Sequence, residues 1–323
     1  RSYSVTGVQT CALPIWSVAA AGCRFFFIGL DDKRSTVFAT LAAVNLADIS
    51  PDDRIYLPAS ADRTAQHSPT IICCYWRNDL SWMKTVVLSL GGSVLLPSID
   101  SNAISPYIAV LRRIGENVSL YVVVGGGGEA RRYISAARSL GIDQAACDEI
   151  GIHITRLNAM LLVSALGDAA YPVVAADQTR AMEYGLSKKI VVMGGVTPGQ
   201  TTDAVAAVLA ERTGAAILVN ATSVDGIYSA DPKTNPDARR FDEMTPDELV
   251  QIVEKDSLSA GANMVIDMVA AKIVRRSSIP LAVLDGRDPG NLEAALTGGY
   301  FRGTLVQGGG ESPLPLYPPP QKR

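Results

Sequence analysis

Apolar runs alternate with amphipathic stretches through most of the chain. The runs are rich in Val, Ile and Leu and lack polar alternation, which is typical of strands buried on both faces of a parallel sheet. The pattern predicts strands at Thr85–Leu90, Ser119–Val124, Tyr171–Val174, Ile190–Met193, Ala216–Asn220 and Leu281–Leu284.

The stretches between these runs repeat apolar residues every three or four positions, as amphipathic helices do. The longest such stripe comprises Ile150, Ile154, Leu157 and Leu161. The predicted helices are Ser105–Gly115, Gly128–Leu140, Ile150–Leu166, Thr202–Thr213, Pro246–Glu254, Val265–Arg276 and Pro289–Leu296. Strands that alternate with helices predict an α/β fold, a three-layer αβα sandwich with a largely parallel central sheet.

The composition changes abruptly at Met83, the first Met of the chain. All three Trp and four of the five Cys precede it, and residues 16–82 show no sustained helical or strand period. Residues 1–15 resemble the translated frame of a sequencing-library adapter. We therefore expect an artefact at 1–15, a non-native or disordered extension at 16–82, a folded domain at 83–306 and a disordered Gly/Pro-rich tail at 307–323.

A secretory signal is an alternative interpretation of the N-terminal region. Residues 13–30 are largely apolar, and residues 20–23 resemble a lipoprotein cleavage site. Arg24 interrupts the apolar run, and the basic segment that a signal requires would be adapter sequence. We therefore favour upstream DNA that was translated by mistake.

The overall composition excludes several classes of function. The chain is 48% hydrophobic and 19% charged, so it can bury a large core, and its net charge of −3 argues against a general nucleic-acid binder. Two His and five Cys cannot supply a zinc cluster of the usual spacing. No run reaches the ~18 apolar residues of a membrane span. We expect no nucleic-acid, membrane or metal site, and the single Cys147 of the domain fits the cytoplasm.

Glycine-rich loops follow four of the predicted strands. They lie at Gly91-Gly92, Gly125–Gly128, Gly194-Gly195 and Ser223–Gly226. Because the carboxyl ends of parallel strands share one edge of the sheet, these loops should meet where such sheets bind ligands. Gly lets backbone N–H groups approach an anion, and a loop that opens a helix favours phosphate. Two such loops, at 125–128 and 199–202, predict phosphoryl transfer between two phosphorylated ligands.

The sequence lacks the common motifs of three other enzyme classes. No Gly-Lys pair occurs, so the chain has no Walker A loop. Gly125-x-Gly127-x-x-Ala130 matches the dinucleotide fingerprint, but no acidic residue closes the next strand. No Gly-x-Ser-x-Gly elbow occurs, and His153 lies within a predicted helix. P-loop kinases, nicotinamide-dependent enzymes and serine hydrolases are therefore disfavoured.

Four collinear segments carry a resemblance to a known family. They are VVLSLGGSVL (86–95), VVVGGGGEARRYI (122–134), TPGQTTDAVAA (197–207) and SVDGIYSADPKTNP (223–236). The chain resembles the amino acid kinase superfamily, and within it the archaeal-type uridylate (UMP) kinases. The resemblance implies an amino acid kinase-like fold and a nucleoside monophosphate kinase that converts UMP and ATP to UDP and ADP in pyrimidine nucleotide biosynthesis. It also implies Mg²⁺ carried by ATP and assembly as a homohexamer.

The resemblance assigns the site residues to two groups. ATP would contact Gly92, Ser93, Gly127, Arg131, Thr222, Ser223, Tyr228 and Asp231. UMP would contact Gly126, Asp148, Val196, Thr197, Pro198, Gly199, Gln200, Thr201 and Thr202. In this assignment Arg131 neutralises phosphate charge as the catalytic cation, and Asp148 binds the ribose hydroxyls. The Thr201 and Thr202 hydroxyls bind the UMP phosphate.

Two positions depart from the pattern of many relatives. Those relatives carry Lys where Ser89 stands, and several other kinases of the superfamily carry a second Lys where Asp267 stands. Mg²⁺, Arg131 and helix N-termini would then contribute more of the electrostatic stabilisation. Two of the assignments have structural alternatives. Asp148 could cap a helix that begins near Ile150, and Arg131 could be a solvated helix charge.

Two other classes of function stay open from the sequence. One is another kinase of the superfamily, with acetylglutamate, isopentenyl phosphate or carbamate as acceptor. The other is a non-catalytic nucleotide-binding protein of the same fold. The Pro-Gly-x-Thr-Thr loop and Asp148 favour a nucleotide acceptor, and the absence of His near the Gly-rich loops counts against isopentenyl phosphate.

Overall fold

The computed structural model divides the chain into two compact units, residues 1–82 and 83–323. It describes residues 25–30, 37–40, 72–75, 83–98, 104–232, 234–257, 265–309 and 312–319. The junction coincides with the change of composition at Met83.

Three described strands lie in the N-terminal unit. They are β1 (Phe25–Leu30), β2 (Val37–Thr40) and β3 (Ile72–Tyr75), and they pair as an antiparallel sheet in the order β2-β1-β3. The sequence pattern does not predict these strands. The expectation that residues 16–82 form a non-native or disordered extension stays a prediction. The predicted adapter segment 1–15 lies outside the described residues.

The C-terminal unit is built on a seven-stranded sheet. Its strands are β4 (Thr85–Leu90), β5 (Ser119–Val124), β6 (Val191–Met193), β7 (Ile217–Thr222), β8 (Glu243–Met244), β9 (Leu281–Asp285) and β10 (Gly303–Val306). Their order is β6-β5-β4-β7-β9-β10-β8, and the pairs from β6 to β9 are all parallel. Only the β9–β10 pair is antiparallel. The predicted largely parallel sheet is confirmed.

Helices cover both faces of this sheet. They are α1 (Gly92–Leu95), α2 (Ile104–Gly115), α3 (Gly127–Ser139), α4 (Gln144–Leu166), α5 (Gln178–Gly185), α6 (Thr202–Thr213), α7 (Pro246–Ser257), α8 (Met268–Ser277) and α9 (Pro289–Thr297). Successive residues of β4 enter opposite cores: Val86 and Leu88 pack with α2, α4 and α9, whereas Val87 packs with α6, α7 and α8. The αβα sandwich is therefore confirmed, and burial on both faces explains the continuous apolar runs.

Several segments differ from the predicted elements, and α1, β8 and β10 were not predicted. Tyr171–Val174 is not a strand, because only the flanking residues Ala170 and Ala175 form isolated bridges to the β6 region. Helix α4 begins at Gln144, six positions before the predicted start, because the Asp143 carboxylate accepts the Ala146 N–H and caps it. Helix α5 was not predicted, since only Ala181 of its residues is buried.

Part of the predicted disordered tail packs against the core. Leu314, Leu316 and Tyr317 contact the core cluster under α2 and α9. The Leu316 N–H donates to the Leu296 carbonyl at 2.8 Å. The expectation of a tail without structure is therefore wrong for residues 312–319.

One helical segment among the described residues, 144–169, is long and apolar enough to cross a membrane. Its residues Ala159, Leu162 and Leu166 are buried in the core cluster beneath the sheet. These contacts identify α4 as a core helix of the sandwich.

Candidate active site

Two glycine-rich loops touch each other at the carboxyl ends of β4 and β5. A Cβ atom added to Gly92 would lie 2.3 Å from the Gly125 carbonyl oxygen and 2.4 Å from the Gly127 nitrogen. Gly127 has φ of 65°, and its own added Cβ would lie 2.6 Å from the Gly92 carbonyl carbon. Only residues without a side chain allow this approach, so the Gly pairs seen in the sequence are required by backbone contact.

Two helices that begin at this contact lack a side-chain cap. No side chain accepts a hydrogen bond from the first turn of α1 or of α3. By contrast, Asp143, Asp177, Thr201, Asp267 and Asp288 cap α4, α5, α6, α8 and α9. The first N–H groups of α1 and α3 thus stay available at the loop contact, where they can donate to an anion.

A cavity of about 450 Å³ opens beside the loop contact. Nine of the predicted site residues line it: Gly126, Gly127, Arg131, Asp148, Thr197, Gly199, Gln200, Thr201 and Thr202. Six further residues complete the wall: Ala130, Ile134, Gly151, Ile152, Thr155 and Gly195. The cavity therefore joins the N-terminus of α3 to the loop before α6, as expected for an acceptor site.

Asp148 connects α4 to the loop that precedes α6. Its Oδ2 accepts the Gly199 N–H at 2.8 Å, and its Oδ1 accepts the Gln144 side-chain amide at 2.8 Å. Because Asp143 caps α4, Asp148 lies inside the helix and the capping alternative is wrong. Its carboxylate lines the cavity, where unused lone pairs can accept ligand hydroxyl groups.

Arg131 is an exposed cation on the cavity wall. Among the residues that the structure describes, it has no hydrogen-bond or ion-pair partner, whereas the neighbouring Arg132 pairs with Glu129 at 3.1 Å. The cavity places Arg131 with the predicted UMP-binding residues, although the resemblance assigns it to ATP. An anion bound in this cavity would therefore lie near the Arg131 cation.

The predicted adenosine-binding residues lie apart from this cavity, at and beyond the end of β7. The Tyr228 hydroxyl donates to Asp225 at 2.9 Å, and Asp225 also accepts from Arg302 at 2.6 Å. The remaining members, Thr222, Ser223 and Asp231, flank this cluster in the chain. Sequence reasoning missed Asp225 as the residue that ties the loop after β7 to the segment before β10.

Two predicted members of the acceptor loop do not line the cavity. Val196 packs against the apolar cluster under α6, and Pro198 lies outside the lining. Both residues shape the loop instead of facing the open space.

Ser89 stands at the position where many relatives carry Lys, and its side chain makes a different interaction. Ser89 is buried at the end of β4, and its hydroxyl donates to the Asp203 carboxylate at 2.8 Å. Burial raises the pKa of Asp203 to about 6, and neighbouring Asp267 adds to this rise, while hydrogen bonds from Ser89 and Asn220 oppose it. Asp203 is half-buried as a whole residue, but its carboxylate is enclosed by protein atoms.

Asp267, the second departure from the family pattern, belongs to the same polar cluster. Its Oδ1 caps α8 by accepting the Val269 and Ala270 N–H groups at 2.7 and 3.0 Å. Its Oδ2 accepts the Thr201 hydroxyl. The carboxylates of Asp203 and Asp267 are therefore neighbours, and they hydrogen-bond to Ser89 and to Thr201.

Comparison with known proteins agrees with this geometry. A model of the amino acid kinase family matches residues 84–285. Uridylate kinases of Methanoculleus marisnigri and Methanospirillum hungatei are 59% and 60% identical over 233 and 234 residues, which cover 72% of this chain and 100% and 99% of those proteins.

Solved structures show the same relationship. The crystal structure of uridylate kinase from Archaeoglobus fulgidus matches with a TM-score of 0.63 at 46% identity, covering 69% of this chain and 100% of that one. A UMP kinase structure from Ureaplasma parvum, at 22% identity and a TM-score of 0.58, shares the fold.

Replacement of Gly127 by Ala should disrupt the loop contact. The new Cβ would meet the Gly92 backbone, and φ of 65° is strained for Ala, so we expect a loss of about 1–3 kcal/mol in stability and most of the phosphoryl-transfer rate. Gly128→Ala is the matched control, because nothing lies within 4 Å of its added Cβ. Denaturant unfolding and steady-state kinetics check both variants. A Gly127→Ala protein with the parent rate would contradict the role of the contact.

Replacement of Asp203 by Asn should change how stability depends on pH. The folded-state pKa of about 6 lies above the ordinary carboxylate value, so the parent loses stability as pH rises from about 4 to 6. The variant carries no such charge and should gain about 1–3 kcal/mol relative to the parent between pH 4 and 7. Urea unfolding across this range measures the difference. Asp168→Asn, at an exposed position, serves as control; parallel curves for Asp203→Asn and the parent would refute the prediction.

Proposed function

The chain belongs to the amino acid kinase family, and we propose that it is a UMP kinase, which transfers the γ-phosphoryl group of ATP to UMP in pyrimidine nucleotide biosynthesis. One observation carries the proposal. A single cavity holds Asp148, Arg131 and the Thr201–Thr202 loop directly beside the contact between Gly92 and Gly127. The relatives named uridylate kinase, which the chain matches over 99–100% of their length, support the same activity.

UMP is the ligand proposed for the cavity. The N-terminus of α6 and the Thr202 hydroxyl bind its phosphate, and the Thr201 hydroxyl joins them by turning away from Asp267, to which it donates in this structure. Asp148 accepts hydrogen bonds from the ribose hydroxyls, and backbone groups of residues 196–200 recognise uracil. Arg131 then lies where it can neutralise the acceptor phosphate and the transferred group together.

ATP is proposed to bind on the β7 side of the loop contact. Its adenosine lies near Thr222, Ser223, Tyr228 and Asp231, and its phosphates accept N–H groups from Gly92, Ser93 and Gly127. No general base is required, because the second pKa of a phosphate monoester is near ~6 and a UMP oxygen is already a nucleophile at pH 7. Catalysis then consists of alignment and charge stabilisation.

Mg²⁺ is proposed to arrive with ATP. Among the described residues, no group of three or more His, Cys, Asp or Glu side chains could hold a metal ion. Asp203, whose carboxylate accepts the Ser89 hydroxyl near the end of β4, is the carboxylate that could contribute a ligand to an ion that otherwise keeps phosphate and water ligands. When bound, Mg²⁺ would neutralise charge on the transferring phosphates.

An acceptor panel distinguishes this function from its rivals. ADP release is measured with UMP, CMP, acetylglutamate, isopentenyl phosphate and carbamate, each with MgATP. We expect turnover with UMP to exceed the others by at least about tenfold, a difference of ~1.4 kcal/mol in transition-state binding. Turnover with another acceptor would reassign the substrate, and binding of ATP without turnover of any acceptor would leave a nucleotide-binding protein. The cavity lining contains no His, which favours UMP over isopentenyl phosphate.

We propose that the protein assembles as a cytoplasmic homohexamer through the outer face of α4. Leu157, Met160 and Leu161 are 53%, 56% and 44% exposed on this face, an apolar row that association would cover. Light scattering at micromolar concentration should give a mass near six chains. A monomer mass would overturn the proposal.

Replacement of Asp148 by Asn should impair UMP binding selectively. Asn keeps an acceptor for the Gly199 N–H but loses the charge that strengthens the ribose hydrogen bonds, so KM for UMP should rise roughly tenfold or more while KM for ATP changes little. Asp143→Asn is the control, because Asn caps a helix as well as Asp does. Equal changes in both KM values would indicate a structural role only.

Replacement of Arg131 by Ala should lower kcat by on the order of 10²-fold, as loss of a preorganised charge typically does. Arg132→Ala on the same helix is the control, since Arg132 is 78% exposed and pairs with Glu129. Steady-state kinetics of both variants decides the matter. If Arg131→Ala stays within about threefold of the parent, far below that expectation, Arg131 lies outside the catalytic machinery.

A further inference from the structure

The inner face of α4 forms hydrogen bonds to the backbone of two glycine-rich segments, one at Gly125-Gly126 and the other at Gly194-Gly195. The Asn158 side-chain amide donates to the Gly125 carbonyl at 2.9 Å and to the Gly126 carbonyl at 3.3 Å. On the second loop, the Thr155 hydroxyl accepts the Gly195 N–H at 2.7 Å. One rigid helix thus fixes the positions of two loops that come from different strands.

The proposed mechanism assigns no role to Asn158. It is only 4% exposed and stands on a helix whose neighbouring inward residues, Ala159 and Leu162, are apolar. A buried amide is costly unless it is hydrogen-bonded, and both donor bonds of Asn158 go to the same short loop. The Asn158 amide therefore serves to hold the backbone carbonyls of residues 125–126.

The backbone that Asn158 holds is built from glycine: Gly125 and Gly126 join β5 to α3, which begins at Gly127. Glycine adopts many backbone conformations at similar energy, so the orientation of these peptide planes depends on their hydrogen bonds. Apart from Asn158, the Gly126 carbonyl accepts the Ala130 N–H at 3.3 Å, a long first bond of α3. In a planar trans peptide the C=O and the following N–H point in opposite directions. Donors that fix the carbonyls of Gly125 and Gly126 toward α4 therefore fix the N–H groups of Gly126 and Gly127 away from α4.

The orientation of these N–H groups matters at the loop contact. The Gly127 nitrogen lies against Gly92, and the Gly125 carbonyl oxygen that accepts from Asn158 also packs against Gly92. A rotated 125–126 peptide would present a carbonyl oxygen, not an N–H group, toward the transferred phosphoryl group. A dipole of the wrong sign there would raise the barrier to transfer.

We propose that Asn158 is a positioning residue for phosphoryl transfer, which orients the Gly126 and Gly127 N–H groups by holding the two preceding carbonyls. The inference rests on the proposed UMP kinase activity and assigns a role within the same site. Asn158 touches neither substrate in this proposal and acts through the loop.

The first test replaces Asn158 by Leu, which has the same branching and number of heavy atoms but no donors. We expect kcat for UMP phosphorylation to fall by at least tenfold, while KM for UMP and for ATP stays within threefold. Thr297→Val is the matched control, because Thr297 is equally buried, at 8% exposed, and its hydroxyl donates within α9. Thermal unfolding of both variants measures how much stability each one loses with its buried hydrogen bond, separately from the effect on kcat.

The second test uses Asn158→Asp, which keeps the shape and can donate only when protonated. Its kcat relative to the parent should fall as pH rises from 6 to 9, because an ionised carboxylate repels the two loop carbonyls. Parent-like kcat in both variants, or an equal kcat loss in Thr297→Val, would overturn the inference. A parent that fails to phosphorylate UMP would instead refute the proposed function, so the two failures are distinguishable.

Discussion

The backbone contact between Gly92 and Gly125–Gly127 is the constraint on which the site depends. The register of the parallel pair β4–β5 places Leu90 opposite Val124, so both strands end at the same level and their loops meet. A side chain at Gly92 or Gly127 would separate the loops. The contact leaves uncapped N–H groups of two helices side by side, where an anion can satisfy them.

The electrostatics of the site follow from what surrounds this contact. Positive potential comes from backbone N–H groups and from Arg131 on the cavity wall. The neighbouring carboxylates of Asp203 and Asp267 hydrogen-bond to Ser89 and Thr201. Ser89 hydrogen-bonds to Asp203 where many relatives have Lys. This arrangement suits a reaction in which the nucleotide brings its own cation. The hydrogen bond to Asp203 also explains how the fold accommodates the Ser89 hydroxyl at a position where many relatives have a charged Lys.

Much of the fold and part of the site could be predicted from the sequence. Strands such as Thr85–Leu90 and Ser119–Val124 were predicted at their observed bounds, because burial on both faces produces a continuous apolar run. Tyr171–Val174 is also apolar, but it is not a strand, and only the flanking Ala170 and Ala175 form isolated bridges. The difference depends on neighbouring strands, which a local pattern does not contain.

The polar contacts of the site were harder to predict. Asn158 and Thr155 lie on the buried face of α4, whereas Leu157 and Leu161 of the apolar stripe predicted from the sequence are exposed, so the sequence pattern did not indicate the inward face. Their hydrogen bonds to Gly125 and Gly195 depend on packing between segments 33 and 40 residues apart. The raised pKa of Asp203 likewise arises where α6, β4 and α8 meet. An Asp in the first turn of a helix would otherwise be expected to stay ionised near the helix dipole.

The most direct test of this account is the response of individual backbone amides to nucleotides. Two-dimensional ¹H–¹⁵N spectra are compared for the protein with UMP plus a non-hydrolysable ATP analogue and for the protein with uridine plus adenosine. The account predicts large shifts of the Gly92, Ser93 and Gly127 amide resonances that require the phosphates. Unchanged resonances at these three residues with both nucleotides bound would contradict it.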